Sequence, residues 1–428
     1  MEKKDRQILG IMLAYSLEIF ITSLFAGSIH DNLHGFMSLL THPAQLTIDY
    51  FKLGTVGGTF LNAGLVGLSC TAVFALSGAA LNGVSLMAFF LTVGFSFFGM
   101  NLLNIWPCIL GTWIFAKVTK TKFGCEVNIA MFSTSLSPFV SEVLWRYPVF
   151  DNFPMSFIFK LLLSIAVGAV AGFLMPILCQ YSPNLHRGYS LYNAAAVAGF
   201  LGIMLFSFMY RAVGVEIPVN TDIGDSHAII VNGFAIVSSL FAILAGIIMN
   251  GGKITSYMEI LKSTGYKCDF IQKYNVPCTL IHIGIFGLFV TAWYNMTGAA
   301  MTGPTAGAII CLLAVVPCGA HMLNVLPIMI GYALASSFGA FELNTQSIIV
   351  GFCFSVALCP ISGRFDILSE IAAGMVHACI VTTVATFHGG MCLYNGGFTC
   401  GITAILIVPV LEFFFIPQDR LTFFPHRK

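Results

Sequence analysis

The chain has 428 residues, 57% hydrophobic and only 9% charged, with 19 Lys+Arg against 18 Asp+Glu and a formal net charge of +1. Soluble domains carry about 25% charged residues, so this chain cannot cover a water-facing globule of 46.2 kDa, and it has no basic surplus for a nucleic-acid partner. Forty Phe and 42 Gly instead suit lipid-facing helices packed through small residues, which predicts an all-α polytopic membrane protein with the lipid bilayer as its surroundings.

A crossing helix needs about 20 mostly apolar residues. In chain order, apolar segments fall at 6–29, 59–76, 83–98, 103–118, 126–145, 156–179 and 190–211. An acidic, Pro-containing loop from Gly214 to Asp225 follows, and the pattern resumes at 227–250, 279–296, 303–318, 323–339, 346–362, 366–386 and 392–415. The first segment is too long for a signal-peptide core and is read as a helix. If every segment crosses and the N-terminus is cytoplasmic, only Lys52, Arg146, Lys160 and Arg211 of the 19 cations fall outside. That bias predicts cytoplasmic N- and C-termini in an inner membrane. The connections between 59 and 118 carry no charge, so short segments there are either full spans or re-entrant half-helices. The stretch Gly251–Pro277 reads as a basic amphipathic segment on the inner surface, with Thr41–Lys52 as its outer counterpart.

The chain also repeats itself. At an offset of 220, Ser77–Gly111 aligns without gaps on Thr297–Gly331 with ten identities in 35, among them Gly83/Gly303, Gly99/Gly319, Asn104/Asn324 and Pro107/Pro327. At an offset of 202, His186–Gly199 aligns on His388–Gly401, sharing a Leu-Tyr-Asn motif. Seven segments per half is an odd number, so the second copy is expected upside-down relative to the first, as residues 1–220 and 221–428. Inverted repeats place a solute site near the bilayer midplane, between broken helices at the repeat interface.

The chemistry-bearing candidates sit at these breaks. Asn104 and Asn324 each precede a helix-breaking Pro by three residues, and an Asn amide suits a small polar solute; each either lines a pathway or caps its own short helix. Asn101 and His321 occupy equivalent positions beside them, and Asn62 and His282 form a second equivalent pair. Gly99, Pro107, Gly319 and Pro327 are the predicted helix breaks. Asn193 and Asn395 read as interhelical hydrogen-bonding groups, and His186 and His388 as loop packing. Glu142 and Arg146 are spaced to pair on one helical face. His377 reads as the one titratable group in the middle of a span, and the lack of a mid-membrane carboxylate in both copies favours a neutral cargo over a pump. The thirteen scattered Cys read as buried thiols. No enzyme signature, cofactor motif or metal-ligand spacing is present, so the expectation is a non-enzyme without cofactor or metal.

Two short motifs resemble those of the urea transporter family. Asn62-Ala63-Gly64-Leu65-Val66-Gly67 is similar to that family's Tyr-Asn-x-x-Leu-Val-Gly motif, and Ser137-Pro138-Phe139 to part of its Leu-Pro-Phe-Asn motif, with Val140 in place of the Asn. The second half departs, with His282–Gly287 and Cys359-Pro360-Ile361 at the corresponding places. The resemblance implies a pore within each protomer and a trimer; a dimer is the alternative homo-oligomer. As a whole the chain is similar to an uncharacterised family of bacterial multi-pass proteins classed as a domain of unknown function. The expected function is a transporter or channel for a small polar, neutral solute, with an ion-coupled transporter or a non-transporting scaffold subunit as alternatives.

Overall fold

The computed structural model describes residues 2–46, 48–148, 151, 155–216, 223–254, 257–424 and 426; the expected boundary at 220–221, and Arg427 and Lys428, lie outside them. Within these residues the chain is all-helical. The N-terminal helices are α1 (Lys3–Phe25), α2 (Ile29–Leu40), α3 (Tyr50–Gly54), α4 (Val56–Ser77), α5 (Gly83–Phe95), α6 (Ile105–Val118), α7 (Phe123–Ser133), α8 (Ser137–Trp145), α9 (Ser156–Cys179), α10 (Ser182–His186) and α11 (Asn193–Phe206). The C-terminal ones are α12 (Ala228–Met249), α13 (Tyr257–Ile260), α14 (Phe270–Lys273), α15 (Val276–Met296), α16 (Gly303–Leu313), α17 (Met322–Ser337), α18 (Gln346–Ser355), α19 (Pro360–Arg364), α20 (Ile367–Thr386) and α21 (Asn395–Phe414). Nine helical stretches among the described residues are long and apolar enough to cross a membrane. Each of the fourteen predicted segments is matched by helix, although Gly83–Phe95, Ile105–Val118, Gly303–Cys318 and Met322–Ser337 are short.

Local chemistry starts and stops these helices. Asn82 opens α5 with a capping box that it shares with Ser85. Thr302 caps α16 through Thr305 N, with Pro304 in its first turn. Asn275 caps α15, accepting Cys278 N at 2.7 Å, and Gly78 ends α4 in the left-handed conformation at φ 68°. The spans 126–145 and 346–362 are broken rather than continuous. A tight 3₁₀ turn at Thr134–Leu136 separates α7 from α8, and one at Val356–Leu358 separates α18 from α19.

Small residues set the packing. α1 lies on α4 and α12 on α15, at places where glycine leaves room. A Cβ on Gly64 would sit 2.8 Å from Phe20 Cα, and one on Gly284 2.4 Å from Ser239 O. α6 lies on α9 so closely that a Cβ on Gly172 would meet Cys108 O at 1.9 Å. At the centre α5 and α16 cross antiparallel: Gly83 at the start of α5 meets Pro317 O, and Gly303 at the start of α16 meets Phe97 O. Between those ends a Cβ on Gly307 would lie 2.4 Å from Gly94 O. Both helices are buried almost throughout, whereas α1 and α12 turn residues such as Leu17, Ile21, Leu240 and Leu244 outward. Short buried helices at the centre and long, lipid-compatible ones outside are what a membrane interior requires.

Three readings of the sequence need correction. The first apolar segment does not run through to residue 29: α1 stops at Phe25 and Ser28 opens a separate helix, its Oγ accepting Asp31 N at 3.1 Å. Gly251–Pro277 keeps Lys253, Lys262, Lys267 and Lys273 exposed but does not merely lie on the surface. Its Ile260 and Phe270 are buried, and Thr264 O lies where a Cβ on Gly363 would come within 1.9 Å. Burying those apolar side chains outweighs leaving the segment on the surface. Finally, His377 is not the sole titratable group in the middle of a span, because Glu18 lies well within α1; Glu370 is fully buried too, in the first turn of α20.

Candidate functional site

The predicted Asn-x-x-Pro residues fold back on their own chain. After α5 ends at Phe95, the backbone turns through Gly99 at φ 83° and enters α6. Asn101 Oδ1 accepts Leu103 N at 3.0 Å and Asn104 N at 2.9 Å, while Asn104 Oδ1 accepts Asn101 N at 2.9 Å. The amide nitrogens donate to Leu39 O at 2.9 Å from Asn101, and to Gly99 O at 3.1 Å and Ser141 Oγ at 2.9 Å from Asn104. Asn62 reaches into the same turn, donating to Ser96 O at 2.9 Å and Met100 O at 3.0 Å and accepting Leu102 N at 3.1 Å.

The second half builds a similar turn with different residues. His321 N donates to Asn324 Oδ1 at 2.8 Å, Asn324 N to His321 Nδ1 at 3.2 Å, and Asn324 Nδ2 to Gly319 O at 3.0 Å. His321 Nε2 bonds Ser263 O at 2.8 Å and His282 Nε2 bonds Ala320 O at 2.9 Å, so each ring carries its proton on Nε2. All six residues are buried. No hydrogen bond among the described residues joins the first cluster to the second. Pro107 lies in the first turns of α6 and Pro327 inside α17. Asn395 makes the expected interhelical bond, to Val381 O at 3.0 Å, while its counterpart Asn193 is exposed. Glu142 is buried and bonded to Arg146 Nε at 2.8 Å and to the Tyr210 hydroxyl.

The structure adds bonds between the halves that sequence reasoning missed. Asp49 accepts Gly303 N at 3.0 Å, at the start of α16, and also Gly224 N at 3.0 Å and Phe51 N at 2.9 Å. Asp269, 220 residues later, accepts Gly83 N at 3.0 Å, at the start of α5, and Ile271 N at 2.9 Å. Each carboxylate therefore caps the central helix of the other half. Burial raises the pKa of the Asp49 carboxyl, while the bonds from Phe51, Gly303 and Gly224 pull it back. A second exchange joins the broken helices: Leu393 N donates to Ser135 O and Leu191 N to Ala357 O, both at 3.0 Å. Those carbonyls belong to the two 3₁₀ turns, where helix breaking frees them. The offset of 220 was the signal that could have found the Asp pair. Beside these exchanges Tyr192 and Tyr394 of the Leu-Tyr-Asn motifs meet edge to face with ring centroids 5.1 Å apart, their hydroxyls buried and without a partner.

A groove between α1 and α12 holds the other group that was missed. It encloses about 240 Å³ and is lined by Tyr15, Phe90, Phe234 and Leu313, with Glu18 and Ser238 supplying polar atoms. A half-buried carboxylate at membrane depth in an apolar groove is expensive to keep and marks a functional candidate.

Fold and site together define a multi-pass, all-helical membrane protein with broken helices meeting at its centre. The chain belongs to the family described as "Protein of unknown function (DUF1576)", whose model matches residues 28–211 and 249–413. Neither a curated protein nor a solved structure matches it.

Proposed function

We propose that this protein is a transporter or channel for a small, neutral polar solute, carried along the interface of two inverted halves, residues 1–220 and 221–428. The observation that supports this reading is the antiparallel crossing of α5 and α16 with its reciprocal bonds, Asp49 to Gly303 and Asp269 to Gly83. Equivalent residues that contact each other head to tail imply a twofold axis perpendicular to the helices. For membrane-spanning helices that axis lies in the bilayer plane, the arrangement in which solute sites form between broken helices. The unpartnered Tyr192 and Tyr394 hydroxyls on either side of the axis supply hydrogen-bonding capacity without charge, which suits a neutral cargo. Proteoliposome swelling with formamide, acetamide and glycerol tests the reading. Permeability above that of protein-free vesicles is expected, and permeability equal to theirs would favour a scaffold.

The topology has its own test. In a background lacking the exposed Cys125 and Cys379, single cysteines at Lys120 and Ala340, both exposed, should react with an impermeant maleimide from opposite sides of the membrane. Labelling of both from one side would remove the inverted arrangement. The cation distribution supports a cytoplasmic Lys120.

Glu18 favours a second reading, an ion-coupled transporter, because a carboxylate in an apolar groove can carry a proton across. In that case an imposed proton gradient accelerates uptake in the wild type and has no effect in Glu18→Gln. A gradient-independent wild type leaves the facilitator.

A further inference from the structure

We infer that the cavity enclosed by α18, α20 and α21 is a binding site for a small neutral molecule that presents a hydrogen-bond acceptor; this deepens the transport reading and rests on it. The cavity measures about 160 Å³, with Gln346 and Val350 from α18, Val381 and Ala385 from α20, Asn395 from α21, and Leu46 from the N-terminal half closing one side. Gln346 is only 7% exposed. Its Oε1 accepts the Thr302 hydroxyl at 2.8 Å. Its Nε2, carrying two N–H donors, has no partner.

The contrast with Asn395 is informative. That amide has a partner on each polar atom, Nδ2 donating to Val381 O at 3.0 Å and Oδ1 meeting His388 Nε2 at 3.0 Å. The polar capacity Gln346 brings to the cavity is therefore a donor, and a buried donor without a partner is costly to retain. A guest carbonyl or hydroxyl oxygen satisfies it. No charged side chain lines the cavity, so an anion or cation would lose its hydration without a counter-charge. A cavity near 150 Å³ accommodates a molecule of about six non-hydrogen atoms. Small amides and small alcohols meet all three conditions.

The wall formed by Leu46 ties the cavity to the interface of the halves. Leu46 N donates to Gly390 O at 2.7 Å and Gln45 Nε2 to Gly389 O at 3.2 Å, holding that segment just ahead of α21. Movement of one half against the other would shift this wall, which is how a site between halves opens to one side.

Saturation-transfer NMR on the full-length protein in lipid nanodiscs, with acetamide as probe and acetate and methylammonium as charged controls of similar size, tests the assignment. Acetamide should bind, and both ions should bind at least about tenfold more weakly. Gln346→Leu should weaken acetamide binding about tenfold, the loss expected for one neutral hydrogen bond. Ala385→Leu, which fills the cavity and leaves the hydrogen bonds in place, should abolish the signal. If Gln346→Leu fails to fold, Ala385→Leu and the charged controls still decide. No acetamide binding, equal binding of acetate, or binding unchanged in the folded variants would overturn the site. Acetamide binding without flux in proteoliposomes would retain the site and remove the transport reading. Flux that persists in both variants would do the reverse.

Discussion

Asp49→Ala should lower the unfolding free energy by about 3 kcal/mol or more, because it strands buried N–H groups that a carboxylate now satisfies. Three backbone donors converge on that side chain, from Phe51, Gly303 and Gly224, and the residue is only 2% exposed. Asp269→Ala should act in the same direction, through Gly83, Ile271 and Gln272. Asp49→Asn keeps an acceptor oxygen and should cost much less. The two carboxylates hold opposite ends of the α5–α16 pair. α5 has 13 residues, which at about 1.5 Å per residue separates them by roughly 20 Å. At that distance the effects of the two alanine substitutions should add to within about 0.5 kcal/mol. Thermal and SDS-induced unfolding of the purified protein in detergent measure both claims. Unchanged midpoints in both single variants would mean that these caps do not hold the halves together.

How much of this arrangement the sequence could reveal follows from the range of each signal. Apolar runs report burial or lipid contact along one helix, and α4, α9, α12, α15 and α20 fall where those runs lie. The break between α1 and α2 was lost because the apolar run passes through it. Only Gly27, at φ 149°, and the Ser28 cap mark the turn. The 3₁₀ turn at Thr134–Leu136 precedes Pro138, and that at Val356–Leu358 precedes Pro360, so proline indicated the place without indicating the geometry. The Asp49 bond to Gly303 spans 254 residues, and no local pattern encodes such a contact. Only the offset of 220, extended to Asp49 and Asp269, would have suggested it. Gln346 was invisible for a different reason. A glutamine at a helix start reads as a surface residue, and its burial depends on Thr302 and on the neighbouring helices.

Asn324→Leu separates the two roles open to the asparagine pair. In the structure Asn324 accepts His321 N and donates to Gly319 O, and it is fully buried. Leucine keeps the branched outline with the same number of heavy atoms, but it is larger and removes both bonds, leaving a backbone donor and a carbonyl unsatisfied at the turn into α17. The expected cost is about 2–4 kcal/mol of stability. Asn104→Leu should cost at least as much, because Asn104 also donates to Ser141 Oγ at 2.9 Å. If these residues act only as caps, flux normalised to the amount of folded protein in proteoliposomes should stay within about twofold of the wild type in both variants. If they line the pathway, normalised flux should fall by tenfold or more at temperatures well below the melting transition. The geometry favours the first outcome. In Asn104 and Asn324 both Oδ1 atoms accept a backbone N–H and both Nδ2 atoms donate to a backbone carbonyl, Asn104 Nδ2 to Ser141 Oγ as well, so a passing solute would have to displace bonds that hold the turns. A group that must be stripped from its own helix before it can meet a solute makes a poor lining for a conducting path and a good anchor for the helix that frames one.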